Sequence, residues 1–114
     1  MRDDRGYLED ILSAIQQIEK QVEKGRDAFL AEELIQVWMI HHIQIIGEAI
    51  GKLSEELKAK HPKVPWTAIK AMRNVLVHFY FGIRLEKVWE AVEQDVPALK
   101  AQIESILISL QSGN

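Results

Sequence analysis

The chain has 114 residues, of which 47% are hydrophobic and 27% charged, which is typical of one soluble globular domain over residues 1–114. The formal net charge of −3 excludes a global basic field and argues against an architectural nucleic-acid-binding protein, so any such contact must come from a local patch. Because cysteine is absent, disulfides, thiolate nucleophiles and cysteine-based zinc sites are excluded.

The chain shows no signal for membrane insertion or export. The most apolar region, Leu34 to Ile50, is interrupted by Gln36, His41, His42, Gln44 and Glu48 and is too polar to span a bilayer. Met1 to Asp10 is charged and polar, unlike the apolar core of a signal peptide. We expect a cytoplasmic protein without membrane contact.

Helical periodicity begins near the N-terminus. Apolar residues spaced three and four apart predict a first helix that Asp3 or Asp4 caps and Gly25 ends. Asp27 is a candidate N-cap for a short following turn. A second helix is predicted from about Glu32 to about Lys60.

The second half of the chain continues the helical pattern. Pro62 and Pro65 interrupt it, and a third helix is predicted from Pro65 or Trp66 to about Tyr80. A fourth begins near Leu85, with a kink or break at Pro97 and Asp95 available as a cap. The sequence therefore predicts an all-α bundle of four to five helices with no sheet.

The predicted third helix has an unusual outer face. At about 100° per residue, one side gathers the apolar residues expected to face the core. The other side holds Arg73, Asn74, Val77, His78 and Phe81. A solvent face would carry Lys and Glu, so this mixture favours a contact surface, with Val77 and Phe81 as candidate dimer-interface residues.

Arg73, Asn74 and His78 also suggest chemistry. Histidine transfers protons near neutral pH, arginine stabilises charge on a phosphate, and asparagine can orient an imidazole. Arg73 and His78 lie roughly 140° apart on an ideal helix, so they converge only if Arg73 reaches around, the helix loosens, or a second chain completes the site. We favour the third. Such a short pattern is weak by itself, and without further signals structural roles are favoured over catalysis.

Neighbouring residues strengthen the functional interpretation. The segment from Met72 to Gly82 resembles the signature R-N-x-x-x-H-x-Y, often followed by Phe-Gly, of the HepT-like branch of the HEPN superfamily. The blocks Ile45–Ala49, His61-Pro62 with Pro65-Trp66, and Asp95–Leu99 agree with the same family. The resemblance covers nearly the whole chain, and its blocks occur in the family's order.

The resemblance implies a HEPN-type bundle, a homodimer with the motif at its interface, and RNA cleavage that needs no metal or cofactor. Arg73 and His78 match the catalytic pair, and Asn74 matches the polar position beside it. The implied partner is a minimal nucleotidyltransferase antitoxin of a type VII toxin–antitoxin pair, which transfers AMP to the position of Tyr80. RNA, and not DNA, is the expected substrate. Helical projection places Tyr80 beside the core, so modification requires it to turn outward.

Some residues around the motif have more than one interpretation. Glu48 either positions Arg73, forms a structural salt bridge or is simply exposed. Lys63, Lys70 and Arg84 are candidates for a basic RNA-binding rim, although single lysines on a helix are usually only solvated. Arg84 also stands where many relatives carry an acidic residue. The adjacent His41 and His42 are a poor metal pair, and at least one is expected to be structural or to lie in an interface. The competing function is a non-catalytic module that binds nucleotide or the nucleotidyltransferase.

Overall fold

The computed structural model describes residues 3–69 and 84–111, and every regular element within these ranges is helical. The prediction of an all-α fold without a sheet is confirmed for this part of the chain. Residues 66–69 are helical, as predicted for the start of the third helix, and the rest of that predicted helix lies outside the described residues. A π-helical turn, Ala91–Asp95, joins the last two α-helices. The α-helices whose two ends both lie within the described residues are α1 (Asp4–Val22), α2 (Gly25–Ala31), α3 (Glu33–Lys52), α4 (Glu55–Lys60), α5 (Leu85–Glu90) and α6 (Val96–Gln111).

Helix α1 begins and ends as its sequence predicts. Asp3 is the N-cap, and its Oδ1 accepts a hydrogen bond from the Gly6 backbone N–H at 3.1 Å. The helix ends at Val22, and Gly25 follows with φ +89°, in the left-handed region that favours glycine. The buried face consists of Leu8, Ile11, Ala14, Ile15 and Ile18.

The predicted capping role of Asp27 is wrong. Helix α2 already begins at Gly25, with Lys24 at the N-cap position and no side-chain cap. Because the left-handed backbone of Gly25 redirects the chain immediately, no turn remains for Asp27 to cap. Asp27 lies instead in the first turn of α2, where the helix dipole favours negative charge.

The second predicted helix is two helices. Helix α3 ends at Lys52, Leu53 and Ser54 are extended, and α4 begins at Glu55. Ser54 makes the break because its Oγ accepts a hydrogen bond from the Leu57 N–H at 3.1 Å. Asp4 holds Ser54 in place, because the Asp4 carboxylate accepts hydrogen bonds from the Ser54 N–H at 2.8 Å and from the Ser54 hydroxyl at 2.6 Å.

Helix α3 is the central element of the described core. It packs against α1, α2 and α5, and its sequence is correspondingly apolar around much of its circumference. Phe29 of α2 and Trp89 of α5 complete the packing, with ring centroids 5.5 Å apart. The buried residues of α3 are Ile35, Met39, Ile40, His42, Ile43, Ile46, Gly47, Ala49 and Ile50.

The irregularity predicted at Pro97 takes the form of a π-helical turn. Proline has no N–H, and its ring clashes with the carbonyl four residues earlier in an α-helix. The chain accommodates Pro97 by widening the preceding turn, in which the Val96 N–H donates to the Ala91 carbonyl, five residues back. Asp95 lies inside this continuous helical path, so its predicted role as an N-cap is wrong.

A charged pair joins α1 to α6. Lys100 Nζ lies 2.9 Å from Glu19 Oε2 and 3.1 Å from Glu19 Oε1. The hydrogen bond to Glu19 raises the pKa of Lys100 above its ordinary value of 10.5, although desolvation opposes the shift.

The raised pKa predicts a pH-dependent contribution to stability. A Lys whose pKa is higher in the folded than in the unfolded state contributes stability below its unfolded pKa, and this is lost as the pH rises through the folded value. We expect Lys100→Gln to lower Tm at pH 7, and the difference from wild type to shrink above about pH 10.5. Lys24→Gln, at an exposed position outside this pair, is the control. A difference that stays constant to high pH would contradict the prediction.

Helix length and hydropathy decide whether a helix could span a membrane. Within residues 3–69 and 84–111, no helix is both long enough and apolar enough to cross a bilayer.

Candidate active site

Most of the predicted site lies outside the described residues. Of the predicted site residues, the structure describes Glu48 on α3, Lys63 shortly after α4 and Arg84 at the start of α5. The residues that lie outside are Lys70, Arg73, Asn74, Val77, His78, Tyr80 and Phe81.

The residues on either side of the motif are firmly placed. Trp66 is buried, and its Nε1 donates a hydrogen bond to the His61 carbonyl at 3.1 Å. Ile69 is buried and its N–H donates to the Pro65 carbonyl at 3.0 Å, as expected for a helix that opens after Pro65. On the far side, α5 is anchored by the buried side chains of Val88 and Trp89. The fold therefore fixes both points between which the motif segment runs.

Glu48 lies in a shallow cleft between α1 and α3 and is not a buried carboxylate. Glu48 is exposed to solvent, whereas the flanking residues Gly47 and Ala49 are buried. The cleft has a volume of about 140 Å³ and is lined by Tyr7, Asp10, Ile45, Glu48, Ala49 and Lys52. Exposure agrees with one of the interpretations given to Glu48, while its predicted role toward Arg73 stays a prediction.

The cleft brings Glu48 together with Tyr7, Asp10 and Lys52, three polar residues that the sequence did not indicate as its neighbours. Tyr7 and Asp10 lie one turn apart on α1, and Glu48 and Lys52 lie one turn apart on α3. The Lys52 Nζ lies 5.9 Å from the centroid of the Tyr7 ring, within the range of a cation–π contact. The signal that could have found this group is the i, i+3 and i, i+4 spacing of polar residues on two otherwise apolar helices.

The two adjacent histidines have different environments. His42 is buried, and its Nδ1 lies 2.8 Å from the Trp38 carbonyl. His41 is exposed, and its ring meets that of His42 edge-on at 5.0 Å. The prediction that at least one is structural is confirmed by His42. Across residues 3–69 and 84–111, no group of three or more potential ligands is arranged to hold a metal.

The three tryptophans belong to the core, as predicted. Trp66 and Trp89 are buried, and Trp38 is partly buried against the core. The Trp38 Nε1 donates to the Gln17 carbonyl at 2.7 Å, which joins α3 to α1.

Arg84 is exposed, and its backbone forms the N-cap position of α5. Its carbonyl accepts hydrogen bonds from the N–H groups of Lys87 and Val88 at 3.0 and 3.3 Å. An exposed side chain directly after the motif segment suits a basic rim, and that role stays a prediction.

Comparison with known proteins agrees with the resemblance seen in the sequence. The family model described as "Ribonuclease HepT-like" matches residues 11–106. A "Probable ribonuclease HepT" from Thermococcus cleftensis is 37% identical over 106 residues, which cover 92% of this chain and 96% of that protein. A "Putative RNase" from Caldanaerobacter subterraneus subsp. tengcongensis is 36% identical over 109 residues, covering 94% of this chain and 96% of that protein. No solved structure matches the chain.

These matches extend from α1 to α6 and place the chain among small proteins named as ribonucleases. It belongs to the HepT-like family of the HEPN superfamily. The resemblance inferred from the Met72–Gly82 block is thereby confirmed at the level of the family, while the roles of the individual motif residues stay predictions.

The contrast between the two histidines generates a prediction about stability. His42→Ala removes a buried side chain that contacts Trp38 and is expected to cost about 2–3 kcal/mol of the free energy of unfolding. His41→Ala, at the exposed neighbouring position, should change it by less than about 0.5 kcal/mol. Urea denaturation of both variants measures the difference. Equal losses in the free energy of unfolding of the two variants would contradict the buried position of His42.

Proposed function

We propose that the protein is a metal-independent endoribonuclease toxin of a type VII toxin–antitoxin pair, with Arg73 and His78 as its catalytic pair. The observation that carries the proposal is the family match over residues 11–106 together with a complete R-N-x-x-x-H-x-Y motif inside the matched range. The names of the relatives, which call them ribonucleases, support the reaction class, and the motif supplies side chains suited to it.

The proposed reaction is attack of a ribose 2′-oxygen on the adjacent phosphorus. The new bond joins the 2′-oxygen to phosphorus, and the bond from phosphorus to the 5′-oxygen of the next nucleotide breaks. The 2′-hydroxyl loses its proton and the leaving 5′-oxygen gains one, so that a 2′,3′-cyclic phosphate and a 5′-hydroxyl result. An imidazole suits either proton transfer, and we assign His78 to one of them.

Arg73 is proposed to stabilise the charge that accumulates on the non-bridging oxygens in the transition state. Its guanidinium offers a planar fork of donors and remains charged at all physiological pH values. Asn74 is proposed to orient the His78 ring or to donate a further hydrogen bond to the phosphate. The arrangement that best accounts for the apolar Val77 and Phe81 is a homodimer in which two copies of the motif face each other.

The catalytic proposal predicts the behaviour of single substitutions. Wild-type protein without AMP should cleave RNA in the presence of EDTA and leave a 2′,3′-cyclic phosphate. Arg73→Ala and His78→Ala should each lower the rate by at least about 100-fold, because each removes a group used only in the transition state. Gel analysis of total cellular RNA and of end groups measures this, with circular dichroism to check folding.

Two outcomes would contradict the catalytic proposal. Equal cleavage by the two variants would remove Arg73 and His78 from the chemistry. Absence of cleavage by the unmodified wild-type protein would favour a non-catalytic module that binds nucleotide or the nucleotidyltransferase. The net negative charge of the whole chain is the observation that favours this second function.

Regulation is proposed to occur at Tyr80. The phenolic oxygen would attack the α-phosphorus of ATP in the nucleotidyltransferase partner, forming a Tyr–AMP ester as pyrophosphate leaves and the phenolic proton is released. The product adds bulk and negative charge two residues from His78, where it would repel an RNA phosphate.

The regulatory proposal predicts a loss of modification in one tyrosine variant and not in the other. Incubation with the partner and ATP should add AMP, about 329 Da, to the wild-type protein, as expected when pyrophosphate leaves ATP. Tyr80→Phe should remain unmodified, whereas Tyr7→Phe, at the only other tyrosine, should be modified like wild type. Intact-mass spectrometry distinguishes the three samples. Modification of Tyr80→Phe would place the acceptor elsewhere.

A further inference from the structure

The charge of this chain is unevenly distributed along the sequence. Between Leu57 and Leu85 there are six Lys or Arg residues and no Asp or Glu, whereas the rest of the chain has eight basic and seventeen acidic residues. The net charge of −3 is therefore the sum of a basic segment, which includes the motif, and an acidic remainder. A strand of nucleic acid would be attracted to exposed positions of this segment and repelled by the acidic remainder of the chain.

The described part of this basic segment forms one wall of a groove. A cavity of about 440 Å³ lies between one face of α6 and the end of α4 with the residues that follow it. Lys60 and Lys63 are exposed, and none of the described residues that line the cavity is acidic. The cavity is lined by Lys60, His61, Pro62, Lys63, Val64, Ala101, Gln102, Ser105 and Ile106.

Hydrogen bonds hold this wall in one conformation. Besides the bond from the Trp66 indole to the His61 carbonyl, the Trp66 backbone N–H donates to the Val64 carbonyl at 2.8 Å. Gln102 Nε2 donates to the Lys63 carbonyl at 3.3 Å and joins the wall to α6. The side chains of Val64 and Trp66 are buried beneath it. The two lysines are thus carried on a backbone ordered before any ligand arrives, which reduces the entropy lost on binding.

The lysines are available for an external anion. Lys60 Nζ lies 3.5 Å from Glu56 Oε1, but both side chains are largely exposed and such a pair contributes little in water. The neutral side chains of Gln102 and Ser105 on the opposite wall can donate hydrogen bonds to phosphate oxygens.

Next to the groove, a cavity reaches Ile69, the last described residue before the motif in the sequence. A second cavity of about 280 Å³ shares Gln102 with the first and extends along Pro65, Ala68 and Ile69. Ile69 precedes Arg73 by four residues, and four peptide units span at most about 14 Å whatever their conformation. Asp95 also lines the second cavity, so the phosphate contacts are confined to the end that carries Lys60 and Lys63.

The geometry points to a phosphate-binding track for the RNA strand at Lys60 and Lys63, outside the catalytic motif. Its ligand is the sugar–phosphate backbone of RNA on one side of the cleavage point, bound without regard to base sequence. The choice of RNA as ligand rests on the proposed function. The track accounts for how a chain of net negative charge holds a polyanion.

Binding to a non-cleavable RNA tests the track separately from catalysis. The probe is a fluorescein-labelled 2′-O-methyl RNA oligonucleotide, whose blocked 2′-oxygen cannot attack phosphorus, and the readout is fluorescence anisotropy over a range of salt concentrations. The test variant combines Lys60→Ala with Lys63→Ala. The control combines Lys20→Ala with Lys24→Ala, which removes the same charge from exposed positions at the end of α1 and directly after it.

We expect the Lys60/Lys63 variant to raise Kd on the order of tenfold and to reduce the salt dependence of log K by about 1.4, the value for two lost contacts to a single strand. The control should change both quantities much less. A Lys60→Arg, Lys63→Arg variant should bind like wild type, because the charge is kept.

The outcomes separate this inference from the proposed function. Equal binding by the Lys60/Lys63 variant and its control overturns the track, even if wild type cleaves RNA. Unchanged RNA binding with weakened binding of the nucleotidyltransferase would assign the groove to that protein and also overturn the track. Wild-type protein that binds RNA through the two lysines but cleaves none would support the track and remove the ribonuclease proposal.

Discussion

The described fold depends on the burial of α3. A helix with isoleucine or methionine on several faces has no stable place in water and must be covered from more than one direction. Helix α1 covers one side with a stripe of leucine and isoleucine, and α2 and α5 cover others through Phe29 and Trp89. Polar bonds then fix the register, as where the Trp38 indole donates to the Gln17 carbonyl. Helices α1, α2 and α5 are positioned by their packing on α3.

This constraint explains which parts of the fold were predictable. Wherever apolar spacing alone decides the element, as in α1 and the body of α3, the sequence pattern agrees with the structure. The sequence pattern did not predict the structure where a side chain distant in the sequence determines the end of a helix. The break at Ser54 is stabilised by Asp4, which lies 50 residues earlier, so no local pattern could reveal it. At Pro97 the irregularity was predictable from the residue, but its form, a widened turn rather than a capped break, was not.

The candidate site was predictable to a different extent. The family follows from the ordered blocks around Arg73 and His78, and the family match over residues 11–106 agrees. The solvent exposure of Glu48 could not be predicted from its sequence neighbours. Apolar neighbours are found both for a buried residue and for a residue in a groove between two helices. The cleft with Tyr7, Asp10 and Lys52 requires knowing how α1 lies on α3, which is a property of tertiary packing. The basic groove likewise depends on α6 meeting the residues after α4.

The π-helical turn at Ala91–Asp95 has a consequence for comparing this chain with its relatives. A π turn holds one residue more than the α-helical turn it replaces, and it rotates the following helix relative to the preceding one. A relative with proline elsewhere and an ordinary α-helix here would need one residue fewer to keep both flanking helices seated on the same core. A single-residue gap between positions 91 and 95 in an alignment would therefore mark a change in helix type. Moving that gap by even a few positions would misassign which residues of α6 face inward.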